Sequence, residues 1–250
     1  MAETAAGQVA IVTGASRGIG RAIAERLAAA GARLVLVGRR DPEALAAVEA
    51  SCRARGADVL TQLVDVGGPG VAEAVRDAAL ERHGRVDLLV NNAAVSVEGL
   101  LAELDDTELA ALLATNIEGV VRMARAVLRP MLRQRSGCIV NLSSVVAARP
   151  GRGNAVYAGT KGFVESFTRA LAVEVGRKQI RVNAVAPGVT ETGMSQAVRG
   201  LAGDALRERV SLGRWGQPED VAAVVEFLAS DAASYISGAV LAVDGAYLGP

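Results

Sequence analysis

Short continuous apolar runs alternate with longer stretches in which apolar residues recur at helical spacing. The first run, Gln8–Val12, is bounded by Gly7 and by Thr13-Gly14 and reads as a buried strand. An Ala-rich helical stretch, RAIAERLAAA, follows and stops at Gly31. The pair then recurs. Leu34–Val37 precedes a helix from Pro42, a residue suited to a first turn, to about Arg55. Val59–Val64 precedes a helix over Val71–His83, closed by Gly84. Val86–Val90 precedes a long helix opened by Asp105 and Asp106, running past Asn116 to about Gln134 and expected to be disturbed at Pro130. Ile139–Leu142 follows the turn signal Ser136-Gly137, and a loop marked by Pro150, Gly151 and Gly153 leads into a helix from near Asn154 to about Val175. Ile180–Ala186 is a sixth strand, 189–215 shows no clear period, a helix is expected over Pro218–Ala229, and Val240–Val243 is the last strand.

Most of the strands are unbroken apolar runs, the pattern of strands buried on both faces. The expected fold is therefore α/β: a single doubly wound, parallel, seven-stranded Rossmann-type sheet with helices on both faces. No linker, repeat or low-complexity tract interrupts it, so residues 1–250 read as one domain. Ligands of such sheets sit beyond the carboxyl ends of the strands. Gly14, Arg39, Asp65, Asn91, Ser144 and Pro187 all follow strand ends.

Composition narrows the choice. With 51% hydrophobic and 22% charged residues, a packed globule is expected rather than disorder. The formal net charge of +0 gives no bulk attraction to nucleic acid or anionic membrane. The start, MAETAAGQVA, carries no export pattern, and no apolar run nears bilayer-spanning length, so a cytoplasmic protein is expected. Cys52 and Cys138 read as reduced, buried thiols. With His83 the only histidine, no metal site is expected, and His83 itself reads as a solvated helix-terminal residue.

Two stretches carry chemistry. Tyr157 and Lys161 are four apart on the sixth helix and so share a face. An ammonium nearby should draw the phenol pKa down from ~10 towards working range. Ser144, at the preceding strand end, could hydrogen-bond a carbonyl or alcohol oxygen held between itself and Tyr157. The second stretch, TGASRGIG, places Gly14, Gly18 and Gly20 between first strand and first helix, where a helix N-terminus can bind a pyrophosphate. Its spacing is not the commoner G-x-G-x-x-G. Gly14-Ala15-Ser16-Arg17-Gly18 also fits the G-x-S-x-G elbow of a hydrolase, but that chemistry needs a histidine late in the chain.

TGASRGIG, Asp65-Val66, NNAA (91–94), Asn116, Ser144, YAGTK (157–161), PGVTET (187–192) and the closing GRWGQPEDVA…SGAVLAVDGA together resemble the short-chain dehydrogenase/reductase family over essentially the whole chain. The resemblance implies NAD(P)-dependent hydride transfer between an alcohol and a carbonyl. It implies Ser144 as donor to the carbonyl oxygen and Tyr157 as acid/base. Lys161 would lower the tyrosine pKa and contact the nicotinamide ribose, and Asn116 would support a proton-conducting water. On the cofactor side it implies Gly14, Ser16, Arg17, Gly18, Ile19 and Gly20 of the glycine loop, Asp65 and Val66 by the adenine, and Asn91 and Ala93 on the fourth strand. Pro187, Gly188, Val189 and Thr192 would lie beside the nicotinamide. Ala94, Thr160 and Ala246 depart from the usual glycine, serine and glycine, and Ala94 is expected to tighten its turn. A cofactor-binding regulator without catalysis would not need the full set Asn116, Ser144, Tyr157 and Lys161.

Cofactor choice follows from charge. The second strand ends at Gly38, where a carboxylate would grip a ribose 2′-hydroxyl, and Arg39 and Arg17 suit a 2′-phosphate instead. NADP(H) is expected, with Asp41 keeping NAD(H) open. Residues 190–212 should cover the substrate, with Met194, Leu201, Val210 and Trp215 offering apolar surface and Val95 and 146–152 flanking the other side. No fixed charge for an acidic substrate stands out. The chain is similar in general look to 3-oxoacyl-carrier-protein reductases, which implies an acyl carrier protein docking on Arg135, Arg177 and Lys178. A sugar, polyol or secondary-alcohol dehydrogenase is the alternative. The family also implies a homotetramer paired through its long helices, with Phe163, Phe167 and Leu171 on one of them.

Overall fold

The computed structural model describes residues 6–249, apart from the side chains of 197, 198, 201, 202 and 204, so the first five residues and Leu201 lie outside the described part. Seven parallel strands are β1 (Val9–Thr13), β2 (Arg33–Gly38), β3 (Val59–Leu63), β4 (Leu88–Asn91), β5 (Gly137–Leu142), β6 (Ile180–Pro187) and β7 (Val240–Val243). They lie in the order β3-β2-β1-β4-β5-β6-β7. The order reverses between β1 and β4, and the crevice at such a switch point is where a nucleotide binds. The inner strands are largely apolar because both faces are covered. Ile11, Val35, Leu89 and Ile139 pack into one layer of helices and Ala10, Leu34, Leu88 and Val140 into the other.

The helices are α1 (Gly18–Ala29), α2 (Pro42–Ala54), α3 (Val71–His83), α4 (Asp106–Leu113), α5 (Val120–Gln134), α6 (Ala155–Val175), α7 (Gln196–Arg207) and α8 (Pro218–Ala229). The α3, α8 and β7 limits coincide with those expected from sequence. Three expectations are corrected. The long helix runs through Pro130, and its irregularity comes earlier, as a π-helical turn over Ala114–Gly119. The segment expected to be irregular contains α7, whose start is set by Ser195 and Thr192 bonding each other's backbone rather than by an apolar stripe. His83 is not solvated: it is 8% exposed, its Nδ1 lies 3.6 Å from Asp58 Oδ2, and burial lowers its pKa.

Cys52 and Cys138 are free, buried thiols, pushed up to about 11 by burial. Among the described residues no His, Cys, Asp and Glu cluster could hold a metal, and no helix is long and apolar enough to cross a membrane. Phe163 and Phe167 stack at 5.7 Å, and Leu171 is buried in the core. Ala94 is not among the described residues with positive φ, so its turn does not require glycine, whereas Ala246 holds φ 65° in the left-handed region.

Candidate active site

The carboxyl ends of the strands open onto a cavity of about 580 Å³ lined by the glycine loop, Arg39, Val66, Ala93, Tyr157, Lys161, Pro187 and Thr192 among others. At one end the backbone forms a cradle. Gly14 sits at φ +65°, and a Cβ on Gly20 would lie 2.2 Å from the Gly14 carbonyl oxygen. Arg17 enters α1 in extended conformation and no side chain caps the first turn, so the leading N–H groups and the positive end of the dipole are free for an anion. The loop is held from below. Thr13 Oγ1 accepts from Asn92 N and Ala93 N, both at 3.0 Å, and Asn92 Nδ2 donates to Thr13 O at 2.8 Å and Gly14 O at 3.1 Å. This clamp was not identified from sequence, although both residues sit inside quoted motifs.

At the other end, α6 presents Tyr157 and Lys161 to the cavity. Lys161 is 4% exposed, and its Nζ donates to Leu142 O at 2.8 Å and stands 5.6 Å from the Tyr157 ring centre. Burial lowers its pKa to about 8. Burial also dominates at Tyr157 and pushes the phenol up to about 12, while its hydrogen bond with Ser144 works the other way. The expected net lowering is thus not found: burial dominates at the phenol, and the Lys161 ammonium also donates to the Leu142 carbonyl. Ser144 Oγ also accepts from Val146 N at 3.4 Å.

Asn116 lies in the π turn and is buried. Its Oδ1 accepts from Val95 N at 2.9 Å, and its Nδ2 donates to Val95 O at 2.9 Å and to Thr160 Oγ1 at 3.2 Å. Thr160 in turn donates to Tyr157 O at 2.7 Å. Asn116 therefore ties the Tyr157 turn of α6 to the fourth-strand loop.

The remaining candidates divide. Ser16, Arg17, Gly18 and Ile19 line the cavity, whereas Gly188 and Val189 do not. Asn91 is buried, with Nδ2 bonded to Asn141 Oδ1 at 2.9 Å, so its side chain serves the core rather than the cavity. Asp65 reaches Arg39 Nη1 at 3.0 Å and accepts from Gly67 N at 3.0 Å. Asp41 lines the cavity but accepts from Ala44 N at 2.9 Å as the cap of α2. Met194 lines the cavity, Trp215 is half-buried and Val210 is core. The hydrolase reading fails on topology. His83 O accepts from Arg33 at the start of β2, at the opposite end of the sheet from Ser16. Arg135 and Lys178 precede β5 and β6, so with Arg177 they also lie a strand length, about 20 Å, from the cavity of their own chain.

A family model described as enoyl-(acyl carrier protein) reductase matches residues 14–247. The 3-oxoacyl-[acyl-carrier-protein] reductase FabG of Escherichia coli is 39% identical over 239 residues, 96% of each chain. Among solved structures, a putative short-chain alcohol dehydrogenase from Sinorhizobium meliloti superposes with TM-score 0.95 at 35% identity over 99% of both chains. A putative NAD(P)-dependent gluconate 5-dehydrogenase from Beutenbergia cavernae, with bound NADP, gives 0.93 at 37% identity over 100% of both.

Proposed function

This chain belongs to the short-chain dehydrogenase/reductase family of oxidoreductases, and we propose that it reduces a ketone to a secondary alcohol with NADP(H). The observation that carries this is one cavity lined both by Tyr157 and Lys161 and by the glycine cradle with Arg17, Arg39 and Arg40. NADPH would supply the hydride when bound. Ser144 steadies the carbonyl oxygen where charge develops. Tyr157, neutral because its pKa stands near about 12, gives that oxygen its proton. Lys161, charged below about 8, stabilises the phenolate left behind. Asn116 positions this turn of α6.

The sign of the pH dependence follows. Reductive kcat should fall as pH rises through about 8, because Lys161 loses its charge there while Tyr157 is still protonated. A Lys161→Met enzyme, slower throughout, should lack that limb in its kcat–pH profile. A limb that persists in Lys161→Met would assign it to another group.

NADP(H) over NAD(H) rests on three guanidinium groups at the cavity and on the engagement of both nearby carboxylates, Asp41 with its helix and Asp65 with Arg39 and Gly67. Arg39→Ala should raise KM for NADPH about tenfold, the scale of a lost charge-assisted hydrogen bond, and leave KM for NADH unchanged. Equal effects on both cofactors would count against a 2′-phosphate site at Arg39.

The carrier-reductase relatives support a 3-oxoacyl thioester as substrate, and the gluconate 5-dehydrogenase likeness supports a sugar-acid or polyol substrate as the second reading. Residues 1–250 would form one catalytic domain of a cytoplasmic homotetramer. NADPH and NADH oxidation against a β-ketoacyl thioester, a β-keto ester, an α-diketone, a ketose and a plain ketone separates these readings. Thioester turnover with NADPH supports the first. Turnover of the ketose alone moves the function to the second.

A further inference from the structure

Two guanidinium groups far apart in sequence meet on one aromatic ring. Arg149 Cζ lies 5.4 Å from the centre of the Tyr247 ring and Arg209 Cζ lies 5.6 Å from it. Arg149 Nη1 also donates to Tyr247 O at 3.0 Å. Both arginines are exposed, and among the described residues neither has a carboxylate partner. Elsewhere Arg82, Arg85 and Arg214 all take one. The carboxylate nearest in sequence to Tyr247, Asp244, is used up on Ala246 N at 3.0 Å and Leu248 N at 2.9 Å.

The place matters as much as the charge. Arg149 closes the turn that follows Ser144, its N–H bonding Val145 O at 2.9 Å. Arg209 follows the far end of α7, and the segment before that helix, Thr192–Met194, lines the cavity. The turn carrying Tyr247 packs on the sixth-strand end, where a Cβ on Gly188 would lie 2.8 Å from Asp244 Cα. Tyr247 therefore links the turn after Ser144 to the segment after α7, beside the carboxyl end of β6. Its ring attracts each guanidinium but does not neutralise either. A carboxylate or phosphate reaching both would accept charge-assisted hydrogen bonds from each.

We propose that Arg149 and Arg209, steadied by Tyr247, form an anion-recognising rim that selects ketone substrates carrying a phosphate or carboxylate away from the reacting carbon. The proposal rests on the ketone-reductase reading and narrows its substrate class. Its chemistry has two sources, the phosphate of a phosphopantetheine thioester or the carboxylate of a keto sugar acid.

The test compares the intact enzyme with Arg149→Gln, Arg209→Gln and the double variant, both positions being exposed so that folding is undisturbed. Two matched pairs distinguish the sources: acetoacetyl phosphopantetheine against acetoacetyl-N-acetylcysteamine, and 5-ketogluconate against a neutral ketose. In the double variant KM for the anionic member that the enzyme uses should rise at least about tenfold. Its kcat, the neutral member's KM and the NADPH KM should hold. An equal rise for both members, or none, overturns the rim. A second readout needs no turnover: calorimetric binding of phosphopantetheine and of gluconate to the enzyme with NADP⁺. One should bind and be lost in the double variant. Binding of neither to the unmodified enzyme overturns the inference. Rim-dependent binding without reduction of any ketone would instead overturn the reductase reading.

Discussion

A Tyr157→Phe substitution is expected to lower ketone turnover about 10²- to 10⁴-fold, the range contributed by a positioned general acid. The phenyl ring can keep its place beside Lys161 Nζ, 5.6 Å from the ring centre, so the packing of this turn is retained. What is lost is the proposed proton donor to an oxygen held by Ser144. The glycine cradle and the arginines at the other end of the cavity are untouched. NADPH affinity, read by quenching or enhancement of its fluorescence, should therefore be unchanged while steady-state kcat collapses. Turnover that survives the substitution would remove Tyr157 from the proton-transfer step.

The second large effect is expected from Gly20→Ala. An added Cβ would stand 2.2 Å from Gly14 O and 2.4 Å from Asn92 Nδ2. Neither neighbour can give way cheaply. Gly14 O is backbone, and Asn92 Nδ2 already serves two carbonyls, Thr13 O and Gly14 O. Overpacking of this kind costs about 1–3 kcal/mol. The strain falls on the loop that aims the first turn of α1 at the cofactor, so NADPH binding should weaken at least about tenfold along with a lower melting temperature. Unchanged NADPH affinity in a folded Gly20→Ala protein would mean that the cradle is not where the pyrophosphate sits.

Much of this architecture was legible in the chain because it rests on local chemistry. Strands buried on both faces read as apolar runs, and VAIV and LVLV announce themselves. Pro42 and Pro218 in first turns and Gly84 past a last turn mark helix ends by their own backbone preferences. Tyr157, Lys161 and the glycine loop could be found because a helix face and a strand end fix where those residues point.

What was not legible depends on contacts from elsewhere. Nothing local distinguishes Ala114–Gly119 from ordinary helix, since the π turn is held by Asn116 reaching Val95 across the cleft. His83 looks like any helix-terminal cation until Asp58 and the start of β2 close over it. Asn91 follows the rule for a cofactor residue by position, but the Asn141 side chain on the neighbouring strand claims its amide. The tyrosine pKa was misjudged for the same reason: the Leu142 carbonyl competes for the ammonium, and burial outweighs what remains. Arg149 and Arg209 read as scattered surface charge until the C-terminal turn brings Tyr247 between their segments.

The most direct test of the account is the fate of the hydride. The purified enzyme would be incubated with NADPH deuterated at the transferring C4 position and with a ketone from the substrate panel, and the product analysed by mass spectrometry. Ketone reduction predicts one equivalent of secondary alcohol per NADPH consumed, with a single deuterium on the carbinol carbon. NADPH oxidation without a labelled alcohol, or no oxidation with any ketone of the panel, would contradict it.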